Sequence, residues 1–175
     1  MNTAHGDHCV TQPGSPFREA FLAHRLALHL RADGVRLGDD PPDFELQFGK
    51  EKFYYEAAEV LEPGRRRGDE FKANRLLSPE EQAEPELWPE VEIPSRDALK
   101  QLRSVAEQKA RKGYPDHYGL ILFVNMEPIF RERRFVDGIA AALSLSLEKF
   151  SEIWTLRVDG MLVRHRKSAS WQQDP

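Results

Sequence analysis

The chain has 175 residues, of which 40% are hydrophobic and 31% charged, and its formal net charge is −4. This composition is typical of one folded domain, and it excludes both a disordered chain and a protein that coats nucleic acid with its whole surface, so any polyanion would have to meet a local basic patch. A disulfide framework is excluded because Cys9 is the only cysteine, and since we find neither a signal-peptide pattern nor an apolar stretch of bilayer length, we expect a cytoplasmic protein with no membrane partner.

The first predicted element is a helix that follows a polar, turn-rich segment, 1–15, which we expect to be disordered. Proline at position 16 favours the first turn of a helix, and we expect the helix to continue to about Asp33, where Gly34 ends it. Glu19 projects from the first turn, where a carboxylate also complements the helix dipole. One face is apolar through leucines at every fourth position, namely Leu22, Leu26 and Leu30.

A β-hairpin is predicted next. Apolar and polar residues alternate over 43–48, which indicates a half-buried strand, and Gly49-Lys50 suits the turn. The aromatic and apolar segment 52–61 predicts a central strand. Glutamate and aspartate are rarely buried unless they are paired or bound to a cation. The two strands nevertheless carry three acids where a sheet would favour apolar side chains, namely Asp43, Glu56 and Glu59.

The remaining pattern predicts further helices and strands that complete a mixed sheet flanked by helices. We expect an α/β fold in a single domain over residues 16–167. In chain order the predicted elements are a loop over 62–94 with a helical piece at Asp69–Leu77, a helix that Ser95 caps and Gly113 closes, a buried strand over Tyr118–Asn125, a helix over Arg133–Phe150, a hairpin at Asp159-Gly160 and a frayed tail, 168–175.

The acidic hairpin resembles the metal-binding motif of the PD-(D/E)XK nuclease superfamily. Asp43 follows two prolines as the motif aspartate does, the segment from Glu56 to Ala58 stands where the (E/D)-x-K tripeptide lies, and Glu19 matches a helical glutamate. The resemblance spans about 16–125. It implies a restriction-endonuclease-like αβββαβ core, here followed by a helix and a hairpin, with Mg²⁺ held by Asp43 and Glu56 and hydrolysis of DNA phosphodiester bonds. Two carboxylates from adjacent strands suit a hard divalent ion that polarises water and phosphate.

The chain departs from the motif at its lysine. Ala58 stands at that position if Glu56 is the motif acid, and Leu61 does so if Glu59 is. We favour Glu56 because its separation from Asp43 suits a short hairpin, with Glu59 as the alternative. The two glutamates lie three residues apart and face opposite sides of a regular strand, so only one of them should bind a metal.

Three functional hypotheses follow from the missing lysine. Some superfamily members take this lysine from another element, and Lys52 and Lys72 are the candidates here. Others have lost activity and keep the fold for interaction with nucleic acid or protein. The third hypothesis is an unrelated α/β protein whose acidic strand residues are only salt-bridged to arginines.

Basic residues downstream of the acidic strand are candidates for contact with DNA phosphates. A solvated loop is an equally good interpretation of them, and we interpret the basic helix that contains Lys109 as a solvated face. The sequence shows no ordered aromatic platform for stacking bases. A homodimer through the edge of the C-terminal hairpin stays open. The candidate DNA-binding residues are Arg65, Arg66, Arg67, Lys72 and Arg75.

Overall fold

The computed structural model describes residues 16–38, 41–65, 93–126, 129 and 132–167. Within these ranges the chain forms three α-helices and six β-strands. In chain order the elements are α1 (Pro16–Leu30), β1 (Gly34–Leu37), β2 (Phe44–Phe48), β3 (Glu51–Leu61), α2 (Ser95–Ala110), β4 (Gly119–Asn125), α3 (Arg133–Leu143), a short 3-10 helix (Ser146–Glu148), β5 (Glu152–Arg157) and β6 (Leu162–His165). The predicted tails, 1–15 and 168–175, and the predicted helical piece Asp69–Leu77 lie outside the described residues.

The six strands form one mixed sheet in the order β1-β2-β3-β4-β5-β6. The central strands β3, β4 and β5 are parallel, whereas β1, β2 and β6 join antiparallel at the two sides. The predicted α/β class, with a mixed sheet flanked by helices, is confirmed. The assignment to a restriction-endonuclease-like core stays a prediction.

The predicted hairpin is confirmed as β2 and β3. Phe44 pairs with Tyr55 and Phe48 with Glu51, and the turn between them contains Gly49 at φ +59°. Glycine has no Cβ and therefore adopts this left-handed conformation without strain. The C-terminal hairpin across Asp159-Gly160 is confirmed as well, as the antiparallel pair β5 and β6.

Two helix ends differ from the predictions. Helix α1 ends at Leu30 rather than Asp33, because Arg31 adopts a positive φ of 57°. Gly34 does not end the helix but begins β1, a strand that the sequence pattern did not reveal. Helix α3 ends at Leu143 rather than Phe150, and a 3-10 turn carries the apolar pattern onward.

The start of α2 also differs in detail. Ser95 was predicted to cap this helix, but it is the first helical residue, and Pro94 occupies the cap position without a side-chain hydrogen bond.

The sheet separates two hydrophobic cores. One core lies between the sheet and α1, and it includes Leu22, Leu26, Phe44, Leu46, Tyr55, Ala57, Ile121, Phe123 and Trp154. The other lies between the sheet and helices α2 and α3, and it includes Val60, Ala98, Leu102, Ala106, Leu120, Leu122, Val124, Phe135 and Ile139. Even-numbered residues of β3 thus face α2, and odd-numbered residues face α1. Among the described helices, none is both long and apolar enough to span a membrane.

Candidate active site

Two of the predicted acids, Asp43 and Glu56, come together on the α2 face of the sheet. Asp43 immediately precedes β2, and because Phe44 pairs with Tyr55, the next pair in the register is Asp43 with Glu56. Asp43 Oδ2 accepts a hydrogen bond of 2.7 Å from the backbone N–H of Ala57. This bond orients the Asp43 carboxylate beside Glu56.

Lys109, in the last turn of α2, contacts both acids. Its Nζ lies 2.8 Å from Glu56 Oε2 and 3.5 Å from Asp43 Oδ2. The side chain is only 17% exposed. The interpretation of the basic residues of α2 as a solvated face is therefore wrong for Lys109, which is directed inward by the two carboxylates.

Sequence reasoning missed this lysine, although one signal pointed to it. Ala98, Leu102 and Ala106 form the buried stripe of α2, and Lys109 follows Ala106 by three positions and Leu102 by seven. A residue at this spacing continues the same face of a helix. A cation at the end of an apolar stripe indicates that the helix meets a buried anion there.

Glu56 is the most buried of the predicted site residues that the structure describes. It is 0% exposed, and its Oε1 atom has no hydrogen-bond partner in the part of the chain that the structure describes. A buried carboxylate oxygen without a donor is unfavourable unless a cation compensates it. Lys109 compensates Glu56 from the Oε2 side, so Oε1 is suited to accept a further ligand.

The charge of Glu56 also reaches nearby tyrosines. Burial raises the pKa of the Tyr118 phenol, and the carboxylate of Glu56 and the phenol of Tyr54 add to this rise. Since β3 and β4 are parallel, with Glu56 paired to Leu120, Tyr118 lies on the same face two residues before this pair. The acids thus border an aromatic surface.

The alternative acid, Glu59, lies on the opposite face of the sheet, as its spacing from Glu56 predicts. Glu59 Oε1 accepts a hydrogen bond of 2.9 Å from Asn125 Nδ2, and Glu59 Oε2 lies 3.5 Å from Arg18 Nη1. The arginine-paired interpretation therefore describes Glu59 and does not describe Glu56. Glu19 belongs to α1, which packs on this same opposite face, so the structure places Glu19 and Asp43 on different sides of the sheet.

The other predicted residues are not brought to the two acids within the described ranges. Lys52 Nζ lies 3.0 Å from Glu45 Oε1, and Lys52 is four residues, or about 13 Å along the strand, from Glu56. Arg65 Nη1 lies 3.7 Å from Glu62 Oε2. Four further predicted residues lie outside the described part of the chain, namely Arg66, Arg67, Lys72 and Arg75.

The carboxylates define which ion would fit. Over the described ranges, no group of three or more His, Cys, Asp and Glu side chains is arranged to hold a metal ion. The available set is therefore Asp43 and Glu56. Mg²⁺ is typically bound by one or two carboxylates and keeps several waters, whereas structural zinc takes four protein ligands. Two carboxylates meet the number of protein ligands that magnesium takes, and they are too few for a closed zinc site.

Comparisons of this chain with protein-family models, with curated proteins and with solved structures gave no significant match. The grounds for a functional proposal are thus the geometry of Asp43, Glu56 and Lys109 and the resemblance of the acidic hairpin to the nuclease motif.

Proposed function

We propose that this protein is a magnesium-dependent nuclease that hydrolyses DNA phosphodiester bonds, in which Asp43 and Glu56 hold the metal and Lys109 supplies the lysine that the motif lacks. The observation that carries this proposal is the convergence of Lys109 Nζ on both carboxylates, at 2.8 and 3.5 Å. The order of the described elements up to β4 is α-β-β-β-α-β, which is the order that the resemblance implies and which supports the proposal.

The protein groups at the site fit a divalent ion. Glu56 Oε1 is buried without a hydrogen-bond partner among the described residues, and Asp43 is oriented by the N–H of Ala57. Carboxylates that are already fixed by the fold lose little conformational entropy when they bind an ion. When bound, Mg²⁺ would polarise the phosphodiester group and acidify a coordinated water.

Lys109 has two roles in this proposal. In the protein without metal, its ammonium group offsets the mutual repulsion of two neighbouring carboxylates. With substrate present, the same group can donate a hydrogen bond to a phosphate oxygen and stabilise the negative charge that develops there. Its flexible four-carbon chain allows the ammonium to move between these partners.

A catalytically inactive domain of the same fold, used for interaction with nucleic acid or protein, is the second candidate. The observation that favours it is the close contact of 2.8 Å between Lys109 and Glu56, because a buried ion pair can serve the fold alone. Metal titration and DNA cleavage assays distinguish this inactive domain from the nuclease.

Metal binding is tested by isothermal titration of Mg²⁺ and Mn²⁺ into the wild type, into Asp43→Asn and into Glu59→Gln. Glu59 is the matched control, since it is also a strand glutamate with a side chain that is only 5% exposed, but it lies on the other face. We expect heat for the wild type and for Glu59→Gln and none for Asp43→Asn. Circular dichroism of each variant shows that the fold is retained.

Catalysis is tested with single-stranded and duplex DNA in the presence of Mg²⁺ or EDTA. We expect Lys109→Met to keep the heat of metal binding and to lose cleavage by about 100-fold or more. DNA binding without cleavage, together with no heat of binding for Mg²⁺ or Mn²⁺, would select the inactive domain. Absence of both metal binding and DNA binding would refute the nuclease and would leave only the protein-interaction form of the inactive domain.

A further inference from the structure

A row of stacked aromatic rings lies beside the two acids. Tyr54 stacks on Tyr118 with ring centroids 5.6 Å apart and planes inclined by 25°, and Tyr118 stacks on Tyr114 at 6.0 Å and 12°. Phe150 closes the row next to Tyr114 at 6.0 Å. The sequence pattern did not reveal these contacts, because the rings come from residues far apart in sequence. We call Tyr54, Tyr118 and Tyr114 the tyrosine row.

The register of the sheet places the tyrosine row next to the candidate active site. Tyr55 pairs with Gly119 and Glu56 with Leu120, so Tyr54 lies opposite Tyr118 on the α2 face, two residues or about 7 Å before Glu56. A strand of nucleic acid whose phosphate is bound at Lys109 and the metal that the acids would hold would place its next base beside the row.

Part of this surface is open to solvent. Tyr118 is buried, Tyr54 and Tyr114 are half-buried, and His117 is exposed. The ring of His117 meets Tyr54 at 5.7 Å and Tyr118 at 5.2 Å, edge to face in both cases. The stacked pair of Phe44 and Tyr55, in contrast, is buried in the core under α1.

The charges around the row are suited to a polyanion on the side of α2. Lys109 lies in the last turn of the helix, and the exposed Arg111 and Lys112 begin the loop that carries Tyr114 and His117. Arg111 also contacts Glu107 of the helix at 3.2 Å. Asp116 is also exposed in this loop, so the loop is basic on balance rather than uniformly basic.

We propose that Tyr54 and His117 stack on an unpaired base of the DNA strand whose phosphate lies at Asp43, Glu56 and Lys109, so that the substrate is single-stranded DNA. This inference rests on the proposed nuclease function. The faces of a base inside a duplex are covered by its neighbours, and an aromatic side chain reaches them only when the base is unpaired. Stacking on aromatic side chains strengthens binding about fivefold or more per base.

The proposal is tested by fluorescence anisotropy in EDTA, where no cleavage occurs, with a labelled oligothymidine and with the duplex that it forms with oligodeoxyadenosine. The variants are Tyr54→Leu, which keeps an apolar side chain at a half-buried site, and His117→Ala, which changes an exposed ring. Matched controls are Phe53→Leu, the adjacent position on the other face of β3, and His24→Ala, an exposed histidine on α1.

We expect the single strand to bind more tightly than the duplex. Each of Tyr54→Leu and His117→Ala should weaken single-strand binding by about fivefold or more and leave duplex binding unchanged, whereas Phe53→Leu and His24→Ala should bind like the wild type. Equal affinity for single strand and duplex, or single-strand binding that is unchanged in His117→Ala, would overturn the inference.

The two proposals fail in different ways. If the stacking variants have no effect but duplex DNA is cleaved with Mg²⁺, the nuclease proposal stands and single-strand recognition is wrong. If the single strand is preferred and both variants weaken it, but Mg²⁺ gives no heat and no cleavage, the aromatic surface stands and the catalytic proposal is wrong.

Discussion

Replacing Lys109 with methionine should destabilise the protein strongly, because it leaves the Glu56 carboxylate buried without its cation. Glu56 is 0% exposed, and the ammonium that compensates it lies 2.8 Å away. Removing one partner of a buried ion pair costs about 3–5 kcal/mol. Since the Lys109 side chain retains 17% exposure, water can partly replace the ammonium, and we expect the lower end, about 3 kcal/mol.

The companion variant is the double substitution Glu56→Gln with Lys109→Met. It removes both charges of the close pair and leaves Asp43 with its hydrogen bond from the N–H of Ala57. Because a buried pair can often be replaced by uncharged groups of similar volume, we expect a free energy of unfolding within about 1 kcal/mol of the wild type. The exposed Lys112 serves as a control. Lys112→Met should change the free energy of unfolding by about 0.5 kcal/mol or less.

The assay is urea unfolding near neutral pH in EDTA, followed by far-UV circular dichroism, with a thermal melt beside it. A loss of about 3 kcal/mol corresponds to a decrease in Tm of about 6–12 °C for a chain of this size. If Lys109→Met is as stable as Lys112→Met, or if the double variant is less stable than Lys109→Met alone, the ion-pair reasoning is refuted. Added Mg²⁺ should recover part of the loss in Lys109→Met if the acids bind it.

Two further predictions concern the sheet. Gly119→Ala should lower the free energy of unfolding by about 1–3 kcal/mol, because its Cβ would overlap a ring carbon of the buried Tyr55. The control is Gly34→Ala, whose Cβ would have its nearest atom at 3.7 Å, and it should change the free energy of unfolding less in the same urea assay. Burial lowers the pKa of His165, so the unfolded chain takes up this proton more readily than the fold, and the free energy of unfolding should fall as pH decreases below about 6.5. His165→Asn should reduce that slope in urea titrations at a series of pH values.

Residue patterns within short segments were sufficient to predict the two hairpins. The alternation over 43–48 and the glycine of the turn are sufficient for the hairpin of β2 and β3, since register follows from the hydrophobic face and the turn geometry. The same register explains why Asp43 and Glu56 could be expected to meet. The C-terminal hairpin at Asp159-Gly160 follows from the same reasoning.

Other elements depend on contacts that no local pattern records. Strand β1 has only four residues, Gly34–Leu37, and exists through its pairing with β2. The apolar spacing of α3 continues into the 3-10 turn at Leu147, which is buried, so periodicity alone cannot distinguish one long helix from a helix with a tightened end. The tyrosine row likewise joins β3 to the loop before β4.

The choice between Glu56 and Glu59 depends on which helix covers which face of the sheet. Spacing alone shows that the two acids point to opposite sides, and each then receives a cation from the helix on its own side, Lys109 of α2 for Glu56 and Arg18 of α1 for Glu59. The two glutamates differ in the contacts of the oxygen that does not meet the cation. Glu59 Oε1 accepts the amide of Asn125, whereas Glu56 Oε1 has no hydrogen-bond partner among the described residues. A carboxylate whose two oxygens are both engaged has little left to offer a metal, so this difference, and not the shared presence of a cation, supports Glu56 as the ligand.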